Sequence, residues 1–351
     1  MTLLDNLLAK FSNDIAIDLG TANIRVQVKG KKDIIKEPSI IAINTTTGKI
    51  LSVGTQARNM IGRTPSNIKA IQPLKNGVIS DFNATEALIK HYIKKTSENS
   101  SVLAKIIRPR VVIGVPTTVT EVEINSVIDS AKSAGARKVY IVEEPMASAI
   151  GADLKIDTAN GNMIVDIGGG TTDIALISLG GIVKDNTIKI AGDEMDNAII
   201  DYIKNKYNLL IGIKLAEDIK IKYGSAIAKD SEIKIEISGQ DLISGLPKST
   251  KISKPELTEA LLPVFEKIMV GVREAIETVP PEILSDLLKT GIYLSGGGAL
   301  IEDIDKLFSL KLKVPFKIAN NPAMCVTIGI SKMMERVDLL EKHQIKDLIL
   351  K

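Results

Sequence analysis

Short apolar runs that alternate with polar residues open this chain, and a period of two marks half-buried strands. Asp14-Ile15-Ala16-Ile17-Asp18 is followed by Leu19-Gly20-Thr21-Ala22-Asn23, and Ile24-Arg25-Val26-Gln27-Val28-Lys29 then alternates strictly. The pattern predicts a strand, a glycine-bearing turn and a returning strand. The same plan recurs where Met163-Ile164-Val165-Asp166-Ile167 meets Gly168-Gly169-Gly170-Thr171-Thr172-Asp173 and runs on through Ile174 to Leu179. Further strands are predicted over 40–44, 50–53, 111–116, 139–142 and 291–295. Helices are predicted over 84–95, from Thr120 to Gly135, from Gly192 to Tyr207 and over 254–278, with re-entry into helix at Ala299. Thr120 with Glu123 three residues on is a capping box. In Glu143-Glu144-Pro145, proline suits the first helical position, which sets Glu144 on the N-cap side at the carboxyl end of a strand. Open α/β sheets keep their ligand crevice there; the plainer reading is an ordinary N-cap carboxylate. Polar segments up to Asp81-Phe82 and around 232–253 read as small insertions. Strands and helices alternating in two equivalent halves indicate a doubly wound α/β architecture built by duplication.

Composition narrows the function classes. The 351 residues suffice for two cores, and 44% hydrophobic content supports that. A single cysteine, Cys325, excludes a disulfide framework and a thiolate zinc cluster, and His91 and His343 stand alone as surface or helix-face residues. No apolar run approaches a membrane span and no signal peptide is present, so the expected location is cytoplasmic or peripheral. A net charge of +3 without dense Lys/Arg blocks, 3% aromatics and no Trp argue against nucleic acid as a partner.

The glycine turns carry the candidate chemistry. Glycine lets backbone N–H groups converge on an anion without a Cβ in the way, and the preceding carboxylate can hold a hydrated divalent cation. Two such hairpins facing each other would clamp a nucleotide triphosphate. For the first turn, a tight β-turn with a solvent-facing aspartate is an equally ordinary reading. Three consecutive glycines inside an apolar strand pair are costlier, about 0.5–1 kcal/mol each, which points to a use. Neither a P-loop nor a dinucleotide fingerprint occurs.

Asp18-x-Gly20-Thr21, Asp166-x-Gly168-Gly169-Gly170-Thr171 and Ser295-Gly296-Gly297-Gly298, in this order, resemble the two phosphate motifs and the adenosine motif of the superfamily joining actin, heat-shock chaperone ATPases and sugar kinases. Glu37-Pro38-Ser39, Met60 to Pro65, Gly192-Asp193-Glu194-Met195-Asp196 and Ala216-Glu217-x-x-Lys220 are similar to MreB, the bacterial actin family. The resemblance runs over nearly the whole chain. It implies an actin-like, duplicated ribonuclease H-like ATPase fold, with two large domains flanking a nucleotide cleft. Domain I would comprise 1–152 and 322–351, with a small subdomain about 37–81. Domain II would comprise 153–321, with a small subdomain about 197–255.

Carried over residue by residue, the resemblance implies ATP and Mg²⁺ as cofactors. Asp18 and Asp166 would hold Mg²⁺ through water, and Gly20, Thr21, Ala22, Asn23 and Gly168, Gly169, Gly170 and Thr171 would donate to phosphate oxygens. Glu144 would orient the attacking water with Thr171 as helper. Gly192, Glu217, Lys220, Gly296, Gly297 and Gly298 would complete the nucleotide site, Glu217 and Lys220 being otherwise an ordinary surface ion pair. Ile24, Asp173 and Lys214-Leu215 depart from the family pattern without removing a ligand. A heat-shock chaperone would be followed by a peptide-binding domain, whereas this sequence ends at Lys351, and a small-molecule kinase remains the rival on the same fold.

Leu3, Leu4, Leu7, Leu8 and Phe11 recur at helical spacing and predict an amphipathic helix over Met1 to Phe11. The resemblance implies contact with the anionic inner face of the cell membrane through this helix or through the loop bearing Val102 and Leu103. The alternatives are a helix packed on the domain and a buried loop anchor. The stretch Val337 to Lys351 reads as a helix docked on the first domain or as a second membrane element. The resemblance further implies a homopolymer of protofilaments, with other MreB paralogues as further partners and ATP state governing assembly.

Overall fold

The computed structural model describes residues 12–31, 33–75, 77–98, 107–229, 231–336, 340 and 343. The expected membrane residues Leu3, Leu4, Leu7, Leu8, Phe11, Val102 and Leu103 lie outside these. The chain divides into two compact units, Met1–Lys155 with Met324–Lys351, and Ile156–Ala323.

The first unit is built on β1 (Ile15–Leu19), β2 (Asn23–Val28), β3 (Ile34–Pro38), β4 (Arg110–Val115) and β5 (Lys138–Glu143). Their order is β5-β4-β1-β2-β3. β1 is antiparallel to β2 and parallel to β4; β2 is antiparallel to β3, and β4 parallel to β5. As the central strand, β1 is covered on both faces and is buried along its whole length, which is why its sequence is a near-continuous apolar run. β2 alternates buried and half-buried positions, with Ile24, Val26 and Val28 facing the core, as its polar alternation predicts.

The second unit repeats this topology with β6 (Asn162–Ile167), β7 (Thr172–Ser178), β8 (Gly181–Ile188), β9 (Ile292–Ser295) and β10 (Phe316–Ile318). The order, β10-β9-β6-β7-β8, and every parallel or antiparallel choice match the first sheet strand for strand. Two sheets with one topology make the duplication inferred from the hairpins a structural fact. Small three-stranded sheets are inserted in both units, one from 41–44, 50–53 and 68–71, the other from 209–210, 234–241 and 247–253.

The second core gathers on the helix Lys254–Glu277, whose Leu257, Leu261, Phe265, Ile268 and Val272 are buried. Each contributes about 1.5–3 kcal/mol on burial. In the first unit the helices Glu144–Gly151 and Cys325–Glu335 cross at backbone contact. A β-carbon on Gly329 would stand 1.8 Å from the Ala147 carbonyl oxygen, and one on Gly151 1.8 Å from that of Cys325. This crossing returns the end of the chain to the first unit and places Thr327 beside β1. Leu340 and His343, the described residues of the C-terminal stretch, are buried, which removes His343 from the surface.

The capping box at Thr120 and Glu123 is present as predicted, and Glu123 also accepts from the Ile79 amide. Pro145 sits one place later than expected. Glu143 is the N-cap and Glu144 the first helical residue, because β5 runs one residue past Val142. After Ser295 the chain makes a 3-10 turn, Gly298–Leu300, and its helix starts only at Ile304.

Candidate functional site

In the first unit Asp18 ends β1 and is almost fully buried. Its Oδ2 accepts from Arg25 Nη1 at 2.9 Å and from Thr327 Oγ1 at 3.0 Å. Arg25 is its cross-strand partner on β2, and Lys36 is the partner of Arg25 on β3. One row across three strands therefore carries an aspartate, a guanidinium and an ammonium. Burial first, and then Arg25, lowers the Lys36 ammonium below its ordinary value. On the other side, Asp18 is in parallel register with Gly114. A β-carbon on Gly114 would lie 2.8 Å from Ile330 Cδ1 and 3.4 Å from Glu144 Cγ, so the missing side chain admits Ile330, and Glu144 stands at contact distance above β4. Glu144 thus packs over the β4 residue that is in register with Asp18, within one unit.

The turn Gly20 to Asn23 is held from outside itself. Ser39 donates its hydroxyl to the Gly20 carbonyl at 2.6 Å and its amide to the Ala22 carbonyl at 3.0 Å, and the Gly77 amide donates to Thr21 Oγ1. A β-carbon on Gly20 would meet the Asn23 carbonyl oxygen at 2.7 Å, which explains the glycine. The preceding Glu37 accepts from Lys95 at 2.5 Å and from the Thr55 amide. Burial raises its carboxyl, but Lys95 and Thr55 outweigh this and hold it below the usual range. Glu37-Pro38-Ser39 is thereby a bracing segment for the first turn.

In the second unit Asp166 occupies the equivalent place near the end of β6, in register with Ser295 on β9. Ser295 donates to its Oδ2 at 2.8 Å. The turn closes by a bond from the Gly168 amide to the Thr171 carbonyl at 2.9 Å. It is then fastened to the helix Gly192–Tyr207: the Gly192 amide donates to the Gly168 carbonyl at 3.2 Å, and the Asp193 amide to that of Gly169 at 2.7 Å. Lys220, on the helix Ile213–Tyr223, donates to the Gly192 carbonyl at 2.7 Å and pairs with Asp196 at 2.8 Å. Gly296 has φ +82, and a β-carbon there would stand 2.3 Å from the Ile167 carbonyl oxygen, so the strand end closes directly on Asp166.

Electrostatics separates the carboxylates of this unit. Asp173 is buried and accepts from Thr171 Oγ1 at 2.9 Å and Thr187 Oγ1 at 2.6 Å; burial pushes it up, against the pull of the two hydroxyls. Burial raises Asp193, with Lys220 opposing and Glu217 adding to the rise. Asp196 is pushed up to about 6, by burial first and despite Lys220.

Sequence reasoning missed several contributors. Thr327 and Arg25 brace Asp18, Gly114 makes room for Ile330 beneath Glu144, and Asp196 holds Lys220, whose side chain is largely buried. Only Asp196 had a local signal, its place in Gly192-Asp193-Glu194-Met195-Asp196.

The sequence profile of the MreB/Mbl protein family matches residues 12–342. The chain belongs to the MreB/Mbl family. As a member it is an actin-like cytoskeletal protein. It is 46% identical over 336 residues to the cell shape-determining protein Mbl of Bacillus cereus, covering 96% of this chain and 100% of that one. It is 43% identical to the cell shape-determining protein MreB of Escherichia coli K12 over 94% of this chain and 95% of that one. Among solved structures, MreB5 of Spiroplasma citri bound to ADP superposes with a TM-score of 0.86 at 40% identity, covering 93% of this chain and 97% of that one. A MamK double helical filament, at 22% identity, a TM-score of 0.74 and coverage of 92% and 99%, shares the fold. The expected actin-like ATPase fold is borne out.

Proposed function

We propose that this chain binds Mg²⁺-ATP through its two glycine turns, hydrolyses it slowly and assembles into filaments at the cytoplasmic face of the cell membrane. One observation carries the reading: in both units the central strand ends with a buried aspartate followed at once by a glycine turn, on sheets of identical topology. The solved structures of S. citri MreB5, one bound to ADP and one to AMPPNP, support it.

In this reading the amides of Gly20, Thr21, Ala22 and Asn23 and of Gly169, Gly170 and Thr171 donate to phosphate oxygens, each such bond contributing about 1.5–3 kcal/mol, while the Gly168 amide closes the turn on the Thr171 carbonyl. Gly192, Glu217, Lys220 and Gly296 to Gly298 serve the nucleoside end. Asp18 and Asp166 offer hard oxygen donors beside these turns, which suits a Mg²⁺ ion that keeps its waters and is held by one or two carboxylates. Bound there, Mg²⁺ would neutralise phosphate charge. Glu144 orients the attacking water, and Thr171, whose proton is committed to Asp173, presents lone pairs to it.

Filament assembly, membrane contact through the N-terminal helix or the Val102-Leu103 loop, and pairing with other MreB paralogues belong to the same proposal. Sedimentation with Mg²⁺-ATP, with and without anionic liposomes, tests it: the protein should pellet with nucleotide and co-float with lipid. ATP turnover that rises only with an added small metabolite would turn the reading to a kinase.

A further inference from the structure

We infer that Asp196 is a positioning residue for nucleotide, holding the Lys220 ammonium against the Gly192 carbonyl and so fixing the second glycine turn in its binding geometry. This rests on the reading that the turn holds a nucleotide.

The chain of contacts is continuous. Asp196 fixes Lys220, Lys220 fixes the Gly192 carbonyl, and the amides of Gly192 and Asp193 fix the carbonyls of Gly168 and Gly169. Holding those carbonyls sets the orientation of the peptides whose N–H groups face the anion. The linkage is tight: a β-carbon on Gly192 would lie 3.2 Å from the Gly168 carbonyl oxygen and 3.3 Å from Lys220 Nζ. An ammonium has three donors. One is given to the Gly192 carbonyl, and the ion pair with Asp196 holds the ammonium in place for it, so its main work is on the turn. Both partners are largely buried, with 11% of the Lys220 side chain and 6% of the Asp196 side chain exposed.

A plain stabilising ion pair explains the arrangement less well. Asp193 on its own helix and Glu217 and Lys220 on the facing helix surround Asp196, and burial, the largest influence, disfavours its charged form. A carboxyl whose folded pKa is raised contributes stability below its unfolded value, and that contribution is lost as pH rises through about 6. Buried pairs of this kind are weak stabilisers and better suited to fixing geometry.

Calorimetry with Mg²⁺-ATP on full-length wild type and Asp196→Asn at pH 7.5, with melting curves of both proteins free of nucleotide, tests the inference. Asp196→Asn should weaken binding about tenfold, the equivalent of one lost charge-assisted bond, while the nucleotide-free variant still melts cooperatively, at a lower temperature, because Lys220 loses its charge partner at a largely buried site. Wild-type affinity should also fall between pH 7 and pH 5.5 by an extent that Asp196→Asn lacks. Affinity of the variant within twofold of wild type overturns the inference, as does a fall in affinity between pH 7 and pH 5.5 that wild type and Asp196→Asn share, which marks a merely structural pair. Absence of binding by folded wild type instead overturns the nucleotide reading beneath it.

Discussion

The two glycine turns occupy equivalent places on equivalent sheets, yet the aspartate before each is held differently. Asp18 meets a guanidinium from the next strand and a hydroxyl from a helix more than three hundred residues away in sequence. Asp166 meets the neutral hydroxyl of Ser295 on the adjoining strand. The first turn is braced by side chains of Ser39 and Thr21, the second by backbone bonds into a helix that Lys220 and Asp196 lock. The fifth strand differs as well, running into Glu143-Glu144 in one unit and into Ala319-Asn320 in the other. One scaffold occurs twice with different bracing, and on the proposed reading the labour is divided: carboxylate chemistry beside the first turn, rigid backbone presentation in the second.

That division can be broken by substitution. The largest effect on folding should come from Asp18→Ala, which strands Arg25 at a largely buried site and should cost about 3 kcal/mol. Asp166→Ala removes the acceptor of the neutral Ser295 hydroxyl, and loss of that bond should cost about 1 kcal/mol. Denaturant unfolding of the two variants without nucleotide measures the difference, and equal losses would erase the contrast. Glu144→Ala should slow ATP hydrolysis by about a hundredfold, the lower range for a lost general base, with affinity for Mg²⁺-ATP within about threefold in calorimetry. Unaltered hydrolysis would remove Glu144 from the chemistry. Gly296→Ala, strained by its positive φ and by the Ile167 carbonyl, should lose about 2 kcal/mol. Gly297→Ala, with nothing within 4 Å of its β-carbon, should stay within about 0.5 kcal/mol of wild type. Thr327→Val, which removes one hydroxyl from Asp18, should lower stability by about 1 kcal/mol; no change in the melt would mean that the C-terminal helix does not brace the first aspartate.

The hairpins, the capping box and the placement of Glu144 after a strand are legible in the sequence because their signals are local: alternation, glycine turns and a Thr-x-x-Glu spacing. β8 escapes such a reading, since it is an edge strand with a mostly exposed pattern and no apolar alternation. β10 has only three residues. The helix Cys325–Glu335 is buried on several sides, so its apolar residues do not make one stripe, and its Gly329 serves a crossing that only the fold reveals. Thr327 and Asp18 meet through that crossing, and no spacing announces it. Pairing of Lys220 with Asp196 rather than Glu217 likewise depends on how two helices pack. Local chemistry could be read directly; the groups that orient it arrive from elsewhere in the chain.

Titration calorimetry of Mg²⁺-ATP into the folded full-length chain tests the central claim most directly. The account predicts one saturable site per chain. Two independent sites per chain, or no heat from protein that melts cooperatively, would contradict it.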